Sequence, residues 1–136
     1  MDQQLPMPIA NADSAPYWNA ARERRLLLRK CQDCGSVHFM PRHMCPTCWS
    51  ERLEWIEAQG RGRIHSFTVV RRASLPAFTM RVPYVVALID LTEGPRMMAN
   101  VLGDNALSVS IGDEVMLTFE DRGDGALIPQ FRIVSL

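Results

Sequence analysis

The spacing of apolar positions changes character once along the chain, near a pair of glycines. Before them lie short, interrupted patterns. Residues 1–13 are polar and broken by prolines, and read as a flexible arm. Asp13 or Ser14 can cap a helix whose first turn admits Pro16, and the helix is predicted over roughly residues 17–25. An apolar run, Leu26 to Leu28, leads into Cys31. Between Cys31 and Cys48 there is room only for tight turns and a strand near residues 37–39. A further strand is predicted over 53–57, before Gly60 and Gly62 break the pattern.

After the glycines the pattern is that of strands. Residues 63–72 are rich in β-branched and aromatic side chains. A proline-marked loop, 73–83, is followed by a nearly continuous apolar run over 84–91, as expected of a strand buried on both faces. A turn at Thr92 to Pro95 returns the chain over 96–102. Val115, Leu117 and Phe119 then alternate with Glu114, Met116, Thr118 and Glu120, the period of a half-buried strand. Residues 130–134 supply a fifth. Five strands with a longer connection between the third and fourth match an oligonucleotide/oligosaccharide-binding (OB) barrel; an SH3-like barrel is the alternative. The fold class is mainly β, divided as arm 1–13, helix and metal-bound segment 14–59, and OB-fold domain 60–136.

The cysteines add the chemistry. Cys31, Cys34, Cys45 and Cys48 form a C-x2-C, ten intervening residues, then C-x2-C. Two residues between cysteines let both thiolates turn toward one point, so each pair supplies two corners of a tetrahedron. Gly35 relaxes the first turn, whereas Trp49 stands where a second glycine would be easier. Without a secretory signal the expected compartment is the cytoplasm, where paired cysteines serve as metal ligands more often than as disulfides. The expected cofactor is one structural Zn2+; iron at the same four-sulfur site is the alternative. Four thiolates close the site, leaving no position for water or substrate.

Charge narrows the function. The 136 residues carry fifteen basic and fifteen acidic groups, a balance that argues against a free-standing nucleic-acid binder. No stretch approaches the roughly 18 apolar residues needed to span a bilayer, so no membrane role is expected. From Ala58 to Ile89 stand Arg61, Arg63, Arg71, Arg72 and Arg81 and no acidic residue; from Asp90 to Gly125 eight acidic residues face two arginines. The five arginines are candidate contacts for coenzyme A phosphates or a negative patch on a partner, or are simply solvated. Phe78 lies in an apolar loop, Leu75 to Met80, and either meets a partner or acyl chain or caps the barrel end. Tyr17 and Trp18 are candidate partner-docking residues, with pinning of the helix to its own ribbon as the alternative. No nucleophile elbow, phosphate loop, metalloprotease helix or dinucleotide fingerprint is present, so no catalytic residue is assigned.

Taken together, Pro16-Tyr17-Trp18, Cys31-Gln32-Asp33-Cys34-Gly35, Cys45-Pro46-Thr47-Cys48, Gly60-Arg61-Gly62, Val82-Pro83-Tyr84 and Phe119-Glu120-Asp121 are similar to one family. Over residues 16–134 the chain resembles the zinc-ribbon/OB-fold acyl-CoA-associated proteins. The resemblance implies an N-terminal helix, a rubredoxin-like zinc ribbon and an OB domain. It also implies an accessory subunit in a hetero-oligomer with a thiolase-like protein, an acyltransferase or a steroid side-chain aldolase. Acyl-CoA would then be shared at the interface. The competing reading is a single-stranded nucleic-acid-binding OB protein, with Phe67 and Tyr84 stacking bases and Arg63 and Arg71 on phosphates.

Overall fold

An arginine in a glycine's conformation ends the helix that Pro16 begins. In the computed structural model, which describes residues 5–134, helix α1 spans Ala15–Arg22. Residues 1–4 of the expected arm lie outside the described residues. Just before α1, Ser14 Oγ accepts the Asn11 N–H at 3.0 Å and Asn11 Oδ1 accepts the Ser14 N–H at 2.8 Å. At its end the N–H of Arg25 returns to the Ala20 carbonyl and that of Arg24 to Ala21, both at 2.9 Å. This closure requires a left-handed residue at Arg24, whose φ is 61°. The helix therefore stops three residues before the expected Arg25. A non-glycine residue there costs about 1–2 kcal/mol, and no glycine marks the stop in the sequence.

The released chain becomes β1 (Leu27–Cys31), flanked by β2 (Val37–His38) and β3 (Leu53–Glu57) in an antiparallel sheet ordered β2-β1-β3. Leu28 and Cys31 are fully buried, the first in the apolar core and the second at the cysteine cluster. Arg29, between them, stacks its guanidinium 4.2 Å from the ring centre of Trp55 on β3.

The remaining strands are β4 (Arg61–Val70), β5 (Tyr84–Leu91), β6 (Arg96–Leu102), β7 (Glu114–Asp121) and β8 (Leu127–Ile133). They close a barrel in the order β4-β5-β6-β8-β7, with β7 returning to β4 through pairs such as Gly62 with Val115. The long third-to-fourth connection contains a short 3₁₀ turn, Ala106–Ser108, and sends Val109 into the core. Strand β5 differs from its expected burial on both faces. Val85, Ala87, Ile89 and Leu91 are buried, while the alternate residues are only half covered. A closed barrel of this size has one inside, so only one face of each strand can be fully buried. Gly62 has a packing reason, because a Cβ there would meet Ile89 Cγ2 at 2.7 Å and the Asp90 carbonyl at 2.8 Å.

The barrel core, centred on Phe131, Ile64, Val85 and Ile89, is continuous with Tyr17, Leu26, Leu28 and Ala58. Helix and ribbon sheet are thus fastened to the barrel by apolar burial, which fixes the cysteine site relative to the barrel.

Candidate metal centre and the surfaces beside it

The two C-x2-C turns have matching backbones. Gly35 N–H bonds the Cys31 carbonyl at 3.0 Å and Trp49 N–H the Cys45 carbonyl at 2.9 Å. Each turn needs a left-handed residue after its second cysteine. Gly35 supplies it at φ 78°, and Trp49 is held there at φ 66° with its side chain largely exposed.

These turns bring all four Sγ atoms within 4.8 Å of one another. Sγ of Cys31 lies 3.5 Å from that of Cys48, and Sγ of Cys34 lies 3.6 Å from that of Cys45. Zinc–sulfur bonds of about 2.3 Å in a tetrahedron put sulfurs about 3.8 Å apart, so the donor set has the right size. Cys31 and Cys45 are buried, Cys34 and Cys48 exposed. The N–H of Cys34 points at Cys31 Sγ and that of Thr47 at Cys45 Sγ, both at 3.4 Å.

The electrostatics favour a bound cation. Backbone N–H groups, foremost that of Cys34 for Cys31 and that of Cys48 for Cys45, lower two of the thiols; the Ser36 hydroxyl and N–H lower Cys34. Cys48 receives similar help from the Ser50 N–H, yet contact with the other three sulfurs pushes it up to about 12. A fourth thiolate beside three others forms only if positive charge balances it, and a divalent ion supplies that. This is a rubredoxin-like zinc site. Zn2+ held by Cys31, Cys34, Cys45 and Cys48 would crosslink the two turns, and with four protein ligands it offers no open position for chemistry.

A polar strut invisible in the cysteine spacing supports the site. Asp33 accepts from Arg52 Nη1 at 2.7 Å and from the Ser50 hydroxyl, whose oxygen in turn accepts the Arg52 N–H at 3.0 Å. It ties the first turn to the exit of the second.

The other candidate residues separate. Arg61 and Arg63 share a hollow of about 390 Å³ with Asp90 and Glu114. Arg63 is bound to Glu114 at 3.1 Å and to the Gly112 carbonyl at 3.1 Å. Beside it His65 faces Asp90 at 3.3 Å, and Arg96 binds the same carboxylate at 2.6 Å. Arg81 is turned instead to Glu120, gripping it with both Nη atoms. Arg71 and Arg72 are exposed and make no ion pair among the described residues. Two of the five first-half arginines, Arg63 and Arg81, are thus paired with acidic residues of β7 in the second half. Phe78 lies back on the barrel, 5.9 Å from the Tyr84 ring, with the Arg122 guanidinium 5.7 Å away. Tyr17 is 5% exposed, packed edge-on against Trp18 and Phe39, and so pins α1 inward. Trp18 is half exposed and lines a surface hollow with Met40 and Met98.

Known proteins share this arrangement. Residues 18–54 match the family model "ChsH2, rubredoxin-like zinc ribbon domain", and residues 55–120 match "ChsH2, C-terminal OB-fold domain". A probable enoyl-CoA hydratase alpha subunit of Thermomonospora curvata is 37% identical over 93% of this chain, which spans 39% of that protein's length. A DUF35 domain-containing scaffold protein of Methanothermobacter thermautotrophicus is 37% identical over 76% of this chain and 80% of its own. The benzoylsuccinyl-CoA thiolase subunit BbsA of Thauera aromatica is 32% identical over 76% and 71%. A chain of the solved Ltp2-ChsH2(DUF35) aldolase superposes with a TM-score of 0.81 at 36% identity, over 93% of this chain and 98% of that one.

Proposed function

This chain belongs to the ChsH2 zinc-ribbon/OB-fold family, and from that premise we propose that it is a non-catalytic scaffold subunit of a thiolase-superfamily enzyme acting on acyl-CoA thioesters. What carries the reading is a full-length likeness to a chain of an aldolase complex, joined to a metal site that is closed to substrate. The relatives named as scaffold protein and thiolase subunit support the same class of partner. A steroid side-chain thioester is one candidate substrate.

The chain's own residues hold and orient. Zinc would fix the ribbon, the shared core would fix ribbon to barrel, and the exposed faces of both would be presented to the partner. Arg61, Arg71 and Arg72, exposed and without an ion pair among the described residues, are available to meet coenzyme A phosphates at that interface. Nucleic acid is disfavoured because Arg63 is occupied by Glu114 and the total charge is zero. No helix of the described residues is long and apolar enough to cross a membrane, which fits a cytoplasmic complex.

Co-expression with a thiolase-like protein encoded beside it tests the proposal. Co-purification as a stoichiometric hetero-oligomer is the expected result, and turnover should require both chains. If no such protein associates, the proposal is wrong.

A further inference from the structure

Barrel closure uses only the first part of β4. Strand β7 pairs with it at Arg61, Gly62 and Arg63. The turn before β7 adds two last bonds, Gly112 N–H to the Ile64 carbonyl at 2.8 Å and Ile64 N–H to the Asp113 carbonyl at 3.0 Å. A bulge at His65 then shifts the register with β5, and Ser66 to Val70 continue beside β5 alone. Along this run the other side of β4 meets no strand among the described residues. Alternate N–H and C=O groups of the run therefore stand unpaired on an open edge.

The run reads Ser66-Phe67-Thr68-Val69-Val70, with no proline, lysine or other charge of the kind that keeps edges from pairing. Phe67 and Val69 lie opposite Ala87 and Val85 and share their inward face, yet Phe67 is 36% exposed. Ile111, beside the turn that ends the bonded stretch, is 70% exposed. Apolar surface thus accompanies the unpaired backbone.

The two ends of the edge carry opposite charge. At its C-terminal end stand Arg71 and Arg72, exposed and without an ion pair among the described residues. At the other end is the turn with Asp113 and Glu114. Glu114 holds Arg63, whereas Asp113 only accepts the Ser110 N–H, at 2.8 Å. An edge that is basic at one end and acidic at the other complements a second copy of itself run antiparallel. The open run is symmetric about Thr68, so that pairing sets the two Thr68 residues opposite each other. Phe67 of each copy then faces Val69 of the other. Thr–Thr and aromatic–β-branched pairs of this kind stabilise sheets. Arg71 and Arg72 of each copy arrive beside the acidic turn of the other, at the rim, where they stay open to the phosphate contacts proposed above.

We propose that this edge joins two copies of the chain, strand β4 against strand β4, across a two-fold axis at Thr68. The inference goes beyond the proposed function and holds whether or not an enzyme partner is present. A contact of this length is small, so the dimer is weak and concentration-dependent.

Sedimentation velocity of the zinc-loaded chain from about 1 μM to about 1 mM, a window that brackets weak dissociation constants, tests this. The mass should double with concentration, and hydrogen exchange over residues 65–71 should slow as the dimer forms. Thr68→Lys, at an exposed position, sets two cations face to face. It should weaken self-association at least tenfold while the chain keeps a cooperative thermal melt. Arg72→Glu, which brings like charges together, should weaken it as well. A chain that stays monomeric throughout, or a dimer whose residues 65–71 exchange as fast as in the monomer, would overturn the proposal. So would a Thr68→Lys chain that associates as tightly as the wild type. Protection of 65–71 that arises only when a co-purifying thiolase-like protein is added would assign the edge to that protein and discard self-pairing.

Discussion

Arg81 and Glu120 form a two-pronged ion pair, at 2.9 and 3.1 Å, that ties the long β4–β5 connection to strand β7. The Glu120 side chain is 11% exposed and also receives Arg122 and Gln130. The pair closes the barrel end where Phe78 lies.

Removing the Glu120 charge should loosen that end. Burial alone would raise its carboxyl, but Arg81 and Arg122 together hold it below the usual range. A depressed folded value means that the stabilisation is present above the unfolded pKa, about 4.3, and is lost as pH falls through the folded value. Glu120→Gln should cost about 1–3 kcal/mol at pH 7. In urea unfolding, the difference from wild type should hold steady down to about pH 5 and shrink below about pH 4.

Metal removal should act on folding first. The purified chain should carry one equivalent of zinc, and cobalt substitution should give a tetrathiolate spectrum. Cys45→Ser, at a buried ligand, should lose the metal and lower the melting temperature by roughly 10 °C or more. A Cys45→Ser chain that stayed folded and assembled yet supported no turnover would contradict a structural role.

Two backbone positions should respond in opposite directions. Gly62→Ala forces a methyl against Ile89 and the Asp90 carbonyl and should cost about 1–3 kcal/mol. Trp49→Gly relieves a left-handed φ at an exposed residue and should leave stability unchanged or raise it by up to about 1 kcal/mol, with zinc retained. Thermal melts of both variants read this directly.

Charge reversal at Arg71 and Arg72 should raise the KM of the complex for acyl-CoA about tenfold, because losing two phosphate contacts removes at least 1.4 kcal/mol, or about a factor of ten. The kcat should change little. Unchanged KM and unchanged complex formation would show that these two arginines are only solvated.

Much of this molecule is legible from residue order alone. Strands 84–91 and 96–102 have the predicted bounds, because turn residues bracket them and their apolar content is dense. The metal centre follows from spacing, since a C-x2-C turn is a local geometry that needs no distant partner. Even the awkward turn at Trp49 shows in the sequence as a missing glycine. The helix end does not, because Arg24 takes a left-handed conformation that its side chain does not advertise.

What tertiary structure alone decided is which side chains meet. The basic and acidic halves look like opposed surfaces in sequence, yet β4 lies between β5 and β7, so Arg63 reaches Glu114 across a chain separation of 51 residues. Tyr17 looks like a docking aromatic and is buried because helix, ribbon and barrel share one core. The Asp33–Ser50–Arg52 strut and the hydrogen bond from Gln130 to Asn100 carry no local signal, since each joins residues that only folding brings within hydrogen-bond range. Sequence determines the conformations that nearest neighbours dictate; the pairing of distant side chains depends on barrel closure.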